Sequence, residues 1–193
     1  MSKLETNTID TISGSTNLTL GGTNATDITI PSGVTITNNG TQSGFGGTMT
    51  PAFEAYLSSD QSMTDATFTK IQCNTEILDS DGNYDNSTNY RFTPTTAGKY
   101  YVYGNAVFLS SVSGTIETFI LAIYKNGSFY KGQETKIDGV ESRRETMSTS
   151  AIIDFNGSSD YVELFGWCDI LSGSLSLEAG IKYVNFGAFK IIE

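Results

Sequence analysis

The chain has 193 residues, which is enough for one domain with an extension and for a core that needs no disulfide or metal. It carries 11 lysines and arginines against 21 aspartates and glutamates, and this net charge of −10 argues against nucleic acid and anionic lipid as partners. It has no histidine, which excludes Ser-His-Asp and Cys-His catalysis and histidine-ligated metal sites.

Residues 1–50 are rich in threonine, glycine, asparagine and serine and contain a single aromatic residue, Phe45. Three short bursts, NLTLGG, DITIP and VTITNNG, alternate apolar residues with threonine, as β-strands do. Strands this short cannot build a core alone, so we predict a β-rich stalk or anchor that packs against something else. A disordered linker is the alternative.

From Pro51 onward, strand signals recur with turn residues between them, and no window repeats at helical spacing. This pattern predicts an all-β sandwich over residues 51–193, separate from the segment 1–50. The predicted strands lie near 51–57, 67–78, 89–93, 98–110, 117–125, 128–137, 145–155, 160–169 and 181–192.

Two of these strands are apolar on both faces. In KYYVYGNAVFL, Tyr101 and Tyr103 lie on the face opposite Tyr100, and in ETFILAIYK, Phe119 lies opposite Ile120. A sandwich strand with one face in solvent alternates, so a two-sided apolar strand needs a second partner, and we predict an oligomer. The residues predicted for the core and the subunit interface are Phe53, Tyr101, Tyr103, Phe119, Leu121, Phe186 and Phe189.

The segment DSDGNYDNSTNY places oxygen-bearing side chains at alternate positions, like the start of an EF-hand loop, and these are Asp79, Asp81, Asn83 and Asp85. Tyr84 stands where that loop requires glycine, and Tyr90 where it requires glutamate. We therefore predict a turn rich in Asx residues and no cofactor, with a weak calcium site at the three aspartates as the alternative.

The connections between the later strands differ in length. Those at 110–116, 137–144 and 170–180 are long, and the connections between them in chain order are tight turns. Because successive antiparallel strands alternate in direction, we expect all three long loops at one end of the sandwich, where binding residues usually lie.

Arg143 and Arg144 are the predicted charged contacts of this recognition surface, with salt bridges to Glu141 and Glu145 as the alternative. The residues predicted for the surface are Ser113, Asp138, Arg143, Arg144, Ser174 and Leu175.

Five segments, in order, resemble the globular head of the complement C1q family: PAFEAYLSS, NSTNYRFTPTTAGKYYVYGN, LAIYKNGS, IIDFNGSSDYVELFGW and VNFGAFKII. The resemblance covers residues 51–193 and implies a ten-stranded jelly-roll sandwich that assembles as a homotrimer, a fold shared with tumour necrosis factor-like ligands. Members of the family recognise other molecules and are not enzymes. Some bind calcium, through residues that do not map onto this chain.

Residues 2–36 resemble the leader of fibre and tail-associated virion proteins of aquatic bacteriophages, in which it precedes small C1q-like heads. The start of the chain, MSKLETNTID, lacks the apolar core of a secretion signal, and no run approaches the length of a membrane span. We therefore expect a protein that folds in a host cytoplasm, joins a virion through residues 1–50 and does not insert into a membrane.

These inferences predict a trimeric virion protein, in a tail fibre, tail spike or capsid fibre, whose head adheres to a glycan or protein of the host surface. One alternative is a purely structural virion protein that binds only other virion proteins, and another is a cellular C1q-like lectin. A glycosidase built on Glu141 and Glu145 is a further possibility, but the fold is used for binding, and we predict no enzyme.

Overall fold

The computed structural model describes residues 32–33, 49–137 and 142–191. Ser32 and Gly33 form a turn, and the other predictions for residues 1–48 lie outside the described residues. Every described strand belongs to one unit, Gly44–Glu193. The described part of the chain contains no helix that is long and apolar enough to cross a membrane.

The described residues form thirteen strands. They are β1 (Ala52–Tyr56), β2 (Gln61–Met63), β3 (Thr69–Lys70), β4 (Thr75–Asp79), β5 (Tyr84–Asp85), β6 (Arg91–Phe92), β7 (Gly98–Ser110), β8 (Ile116–Lys125), β9 (Ser128–Lys136), β10 (Arg144–Phe155), β11 (Val162–Ile170), β12 (Leu175–Leu177) and β13 (Asn185–Lys190).

The strands form two antiparallel sheets that face each other. Sheet A has the order β2-β12-β7-β13-β1-β4, and β10 pairs with the other side of β7. Sheet B has the order β5-β6-β11-β8-β9, and β3 pairs with β11 beyond β6. The edge strand β10 of sheet A therefore lies near the edge strand β9 of sheet B, at the same side of the sandwich.

In the pairing of β10 with β7, alternate side chains point to opposite faces of sheet A. Arg144 lies opposite Leu109 at one end of the ladder, and Phe155 lies opposite Gly98 at the other. Successive side chains of β10 alternate between solvent and the core, and Ile153 is fully buried while Ile152 is exposed. The two-residue period thus assigns each side chain of these strands to the core or to the outer face of sheet A.

Aromatic rings join the two sheets at the centre of the core. The ring of Phe53 on β1 stacks on Tyr84 and on Phe92 of sheet B, with centroid distances of 4.5 Å to each. It also meets the edge of Phe186 on β13 at 5.0 Å. The Tyr84 hydroxyl donates to the carbonyl of Cys73 at 2.9 Å, so this buried ring carries no unpaired polar group.

Most of the predicted strands are present, and two predictions need correction. The segment 67–78 is two short strands in different sheets, because residues 71–74 leave sheet B after β3, cross the core with Ile71 and Cys73 buried, and enter sheet A at β4. The segment 170–180 is not a continuous loop, because it contains β12. The number of strands exceeds the ten implied by the C1q resemblance, and several of the strands have only two or three residues.

One ion pair lies on the outer face of sheet B at a position shielded from water. Lys70 Nζ lies 2.5 Å from Glu163 Oε1, and the side chain of Glu163 is 6% exposed. Lys70 also donates to the carbonyl of Asn89 at 3.1 Å, which ties β3 to the segment that precedes β6. Because the carboxylate is shielded from water, the loss of a cation paired with it is unfavourable.

We predict that Phe53→Ala lowers the free energy of unfolding by about 3–5 kcal/mol, because it removes the ring that joins the two sheets. The matched control is Phe129→Ala, since Phe129 is 53% exposed, and we expect it to cost less than about 1 kcal/mol. Urea unfolding of the two variants measures the difference. If both variants lost the same free energy of unfolding, the Phe53 ring would contribute no more to stability than an exposed ring.

We predict that Lys70→Met lowers the free energy of unfolding by about 2–4 kcal/mol, because it removes the ammonium group paired with the buried Glu163 carboxylate. The double variant Lys70→Met/Glu163→Leu should recover most of the loss, since it removes the buried charge as well. Asp154→Asn, at the exposed pair with Lys99, serves as the control and should cost less than about 1 kcal/mol. A double variant no more stable than Lys70→Met would contradict this account.

Candidate functional site

The long loops predicted from the sequence lie together at one end of the sandwich. Ser111 N–H donates to the carbonyl of Ser174 at 2.9 Å, and Leu171 N–H donates to the carbonyl of Thr115 at 2.8 Å. We name this surface the loop crown and define it as residues 111–115, 142–143 and 171–174. Several of its backbone groups are therefore paired between loops.

Buried hydroxyl groups lie beneath the loop crown. The Ser142 carbonyl accepts from the N–H groups of Gly114 and Thr115 at 3.0 and 3.1 Å. The hydroxyls of Ser110 and Thr115 lie 2.7 Å apart, and Ser110, Thr115 and Ser142 are all buried. This network holds the three loops in one arrangement, because each buried polar group would be unfavourable without its partner.

The outer surface of the loop crown combines apolar and charged side chains. Val112 is 44% exposed and Leu171 is 67% exposed, and the guanidinium-bearing Arg143 is exposed beside them. Sequence patterns did not single out Val112 or Leu171, because one apolar residue in a serine- and glycine-rich loop carries no periodicity. Exposed apolar residues on a fixed backbone suit contact with another molecule.

The predicted recognition residues divide into three groups. Ser113 and Ser174 are exposed in the loop crown, and their role in recognition stays a prediction. Asp138 lies outside the described residues. Leu175 is not in an exposed loop, because it belongs to β12, is only 4% exposed, and pairs with Met63 of β2.

The two predicted arginines have different surroundings. Arg143 Nε donates to the Ser110 carbonyl at 3.1 Å, which fixes its stem to the loop crown. Arg144 lies in β10, where its Nε is hydrogen-bonded to the Glu178 carboxylate and its guanidinium lies 4.8 Å from the Tyr183 ring centroid. The hydrogen bond to Glu178 raises the pKa of Arg144, so this arginine is engaged within the fold.

The alternative partners of the arginines are Glu141 and Glu145. Glu141 lies outside the described residues, and the Glu145 carboxylate accepts a hydrogen bond from the Ser142 hydroxyl. The carboxylate that Arg144 meets is Glu178, which the sequence does not suggest because it is 34 residues away.

A second surface feature is a row of apolar side chains across the outer face of sheet A. Ile152 on β10 lies opposite Tyr101 on β7, and Tyr101 lies opposite Phe189 on β13. Ile152 is 58% exposed, Tyr101 is 36% exposed, and the Tyr101 and Phe189 rings are 5.6 Å apart. We name these three residues the apolar stripe. It is the exposed second face that the two-sided strand predicts.

The residues predicted for the core and the subunit interface therefore fall into two groups, one buried and one on the outer face of sheet A. Phe53, Phe119, Leu121 and Phe186 are 0–2% exposed and form the core between the sheets, so they offer no surface to another subunit. The residues of that prediction that lie on the outer face of sheet A are Tyr101, Tyr103 and Phe189.

Tyr103 lies beside the apolar stripe and is held in place by its neighbours. Its ring lies against Gly187 so closely that a Cβ there would come within 2.4 Å of the ring and the hydroxyl. Burial raises the pKa of Tyr103 to about 12, and the Glu54 carboxylate that accepts its hydrogen bond adds to the effect. The Tyr103 hydroxyl therefore stays protonated, and able to donate a hydrogen bond, across the physiological pH range.

A groove of about 360 Å³ opens on the same outer face. Its lining spans β7, the edge strand β10 and Gln133 of β9, and the lining residues are Tyr101, Tyr103, Gly104, Asn105, Gln133, Ser148, Thr149 and Ser150. Thr149 is 3% exposed, and its Oγ1 is buried without a hydrogen-bond partner among the described residues. No sequence signal points to this groove, because it arises from the register of β10 against β7.

The aspartate-rich segment forms the Asx turns that the sequence predicts. Asp79 accepts from the N–H groups of Asn83 and Tyr84 at 3.1 and 2.9 Å. The Thr88 amide, which donates to Asp85 at 2.9 Å, holds the pKa of that carboxyl well below its usual range. Within the described ranges, no three His, Cys, Asp or Glu side chains are grouped as metal ligands. The absence of a cofactor stays a prediction, with a weak calcium site as its untested alternative.

The fold resembles solved structures of jelly-roll heads. The globular domain of the zebrafish complement 1qA protein matches with a TM-score of 0.52 at 16% identity, over 73% of this chain and 96% of that chain. The Eiger TNF from S. frugiperda matches with a TM-score of 0.49 at 13% identity, over 72% and 91% of the two chains. No protein-family model and no curated protein sequence matches the chain. The chain therefore has an all-β, C1q-like jelly-roll fold.

Proposed function

We propose that this protein is a homotrimeric surface protein of a virion, and that its C1q-like head binds a glycan or protein on the host surface. The loop crown is the observation that carries this proposal. It presents exposed apolar and charged side chains on three loops whose backbones are hydrogen-bonded to one another. A surface that is already ordered loses little conformational entropy on binding, which favours recognition.

The apolar stripe supports the trimer. Ile152, Tyr101 and Phe189 form a continuous apolar row on a sheet face, and aromatic residues are typical of the buried centre of an interface. The C1q-like fold agrees with this arrangement, since the sequence resemblance implies a trimer. Three heads carry three loop crowns, so weak individual contacts add up by effective concentration.

The virion location is supported by the resemblance of residues 2–36 to phage fibre leaders. We propose that residues 1–50 join the protein to other virion proteins, in a tail fibre, tail spike or capsid fibre, and that residues 51–193 form the head. The protein acts by binding and not by catalysis, and it uses no cofactor.

We expect the whole chain to have about three times the 20.8 kDa of one chain by light scattering. Ile152→Glu should dissociate the trimer, because it places a charge in the apolar stripe at a subunit contact. Ile77→Glu, at a similarly exposed isoleucine on β4, is the control and should keep the trimer mass. A monomeric wild-type chain would refute the trimer, and an unchanged mass of Ile152→Glu would place the interface elsewhere.

We expect the double variant Val112→Ser/Leu171→Ser to bind host cells roughly tenfold more weakly than the wild type, because it removes the exposed apolar contacts of the loop crown. The control is Ile181→Ser, which removes an exposed apolar side chain outside the loop crown and should bind host cells as strongly as the wild type. The measurement is binding of fluorescently labelled protein to a panel of intact aquatic bacteria.

The melting temperature and mass of each variant serve as controls for folding and assembly. Wild-type protein that binds no strain of the panel would favour the purely structural virion protein. Binding to animal cells but to no bacterium would favour the cellular lectin.

A further inference from the structure

We propose that pH regulates the trimer through Glu54, a carboxylate beside the apolar stripe, so that the subunits associate more tightly in acid. This inference rests on the proposed trimer and adds the regulation of its subunit contact. Glu54 lies on β1 between Phe53 and Ala55, which are both buried in the core, so its side chain is on the outer face of sheet A.

The register of the strands places Glu54 next to the apolar stripe. Glu54 lies opposite Gly187 on β13, and Gly187 lies opposite Tyr103 on β7. Phe189 of the apolar stripe lies opposite Ala52, two residues before Glu54 on β1. Neighbouring strands are about 4.8 Å apart and alternate residues of one strand are about 6.6 Å apart, so Glu54 lies within about 10 Å of Phe189.

A glycine allows Glu54 and Tyr103 to meet across β13. Because Gly187 has no side chain, the Tyr103 ring lies directly against it, and the Tyr103 hydroxyl donates a hydrogen bond to the Glu54 carboxylate. The Tyr103 ring is also 6.0 Å from the ring of Tyr101, a residue of the apolar stripe. The carboxylate is therefore held among the aromatic side chains of the face proposed for subunit contact.

A subunit contact centred on the apolar stripe covers this carboxylate. A specific interface buries about 800 Å² of each partner, and a circular patch of that area has a radius of about 16 Å. Glu54 lies inside such a patch, because it is within about 10 Å of Phe189. Association of the subunits therefore removes water from the Glu54 carboxylate.

The described residues that face Glu54 offer no cation to it. The strand β7 contributes the Tyr103 hydroxyl, β13 contributes a glycine, and β4, on the other side of β1, contributes Leu78. The ionisable residues of β4 are Glu76 and Asp79, which are acidic. None of the ion pairs among the described residues includes Glu54.

The lysines of the neighbouring strands have other contacts. Lys99 on β7 pairs with Asp154 of β10 at 3.7 Å, and the side chain of Lys190 on β13 lies against Gly98. A second subunit also has few cations to contribute, since the chain carries 11 lysines and arginines against 21 aspartates and glutamates. Four of these cations pair with carboxylates of their own chain within the described ranges.

The loss of water sets the direction of the pH effect. The hydrogen bond from Tyr103 is present in the single chain, so association does not add it. One hydroxyl occupies only part of the acceptor capacity of a carboxylate, and water occupies the rest until a second subunit displaces it. Burial without a cation raises the pKa of a carboxyl group, so association takes up protons. By linkage, this contribution is complete in acid and is lost as the pH rises through the raised pKa.

The test measures the mass of the whole chain by light scattering during dilution, from about pH 5 to about pH 8, above the isoelectric point of about 4.3. We expect the trimer dissociation constant to be roughly tenfold larger at the upper end of this range than at the lower end. If dilution does not dissociate the trimer, the urea concentration at which the mass falls to that of one chain is measured at each pH instead.

The variant Glu54→Gln keeps an acceptor for the Tyr103 hydroxyl but carries no charge. We expect its dissociation constant to change less than about threefold over this range and to be smaller than that of the wild type at about pH 8. Glu134→Gln, on the exposed strand β9, is the matched control. It makes the same change in net charge and should keep the wild-type pH dependence, which separates Glu54 from general repulsion between acidic chains.

Tyr103→Phe provides a second test if Glu54→Gln does not fold. It removes the hydroxyl that donates to Glu54 but keeps the ring and the carboxylate, so we expect a steeper pH dependence than in the wild type. A shallower dependence in this variant would contradict the proposal.

The outcomes distinguish this inference from the proposed function. A chain that is monomeric at every pH, in the wild type and in Glu54→Gln, would refute the trimer and the inference together. A trimer with the same pH dependence in the wild type and in Glu54→Gln would refute the inference and keep the trimer. A wild-type trimer that is tighter at about pH 8 would also overturn the inference, since a cation of the neighbouring subunit would then pair with Glu54.

Discussion

Stacked aromatic rings link the two sheets within a larger apolar core, and the arrangement of the surface depends on this contact. Phe53 from sheet A lies 4.5 Å from both Tyr84 and Phe92 of sheet B, at the spacing of close-packed rings. If β1 slipped by one residue against its neighbours, Phe53 would move to the solvent face and the contact would be lost. The rings therefore favour one register, and this register decides which side chains face outward.

The register of the strands determines which side chains lie next to each other on the outer face of sheet A. Ile152, Tyr101 and Phe189 align as an apolar row across three strands. Asn105, four residues after Tyr101 on β7, lies opposite Ser148, which is four residues before Ile152 on β10. At this position the outer face is polar and concave. One sheet face thus carries an apolar row suited to another protein subunit and, beside it, a groove with an uncharged lining.

The sequence predicts the long strands better than the short ones and better than the surface sites. The strands β7, β8 and β10 are predicted because their strand-forming residues extend over nine or more positions between turn residues, and the antiparallel order is enough to bring the long loops together. β12 was missed because three residues in a serine-rich segment carry no period, and Leu175 was assigned to a loop for the same reason. The groove could not be predicted, since Gln133 of β9 joins residues of β7 and β10 in its lining only when the edges of the two sheets lie side by side.

The loop crown and the groove differ in how they depend on assembly. The loop crown lies at one end of the sandwich, so a trimer built on the apolar stripe leaves it accessible and multiplies it by three. The groove shares Tyr101 with the apolar stripe, so a subunit that packed on the stripe would also border the groove. In the proposed trimer, the subunit contact therefore borders the groove, whereas the loop crown, which is built from other residues, remains open to a separate partner.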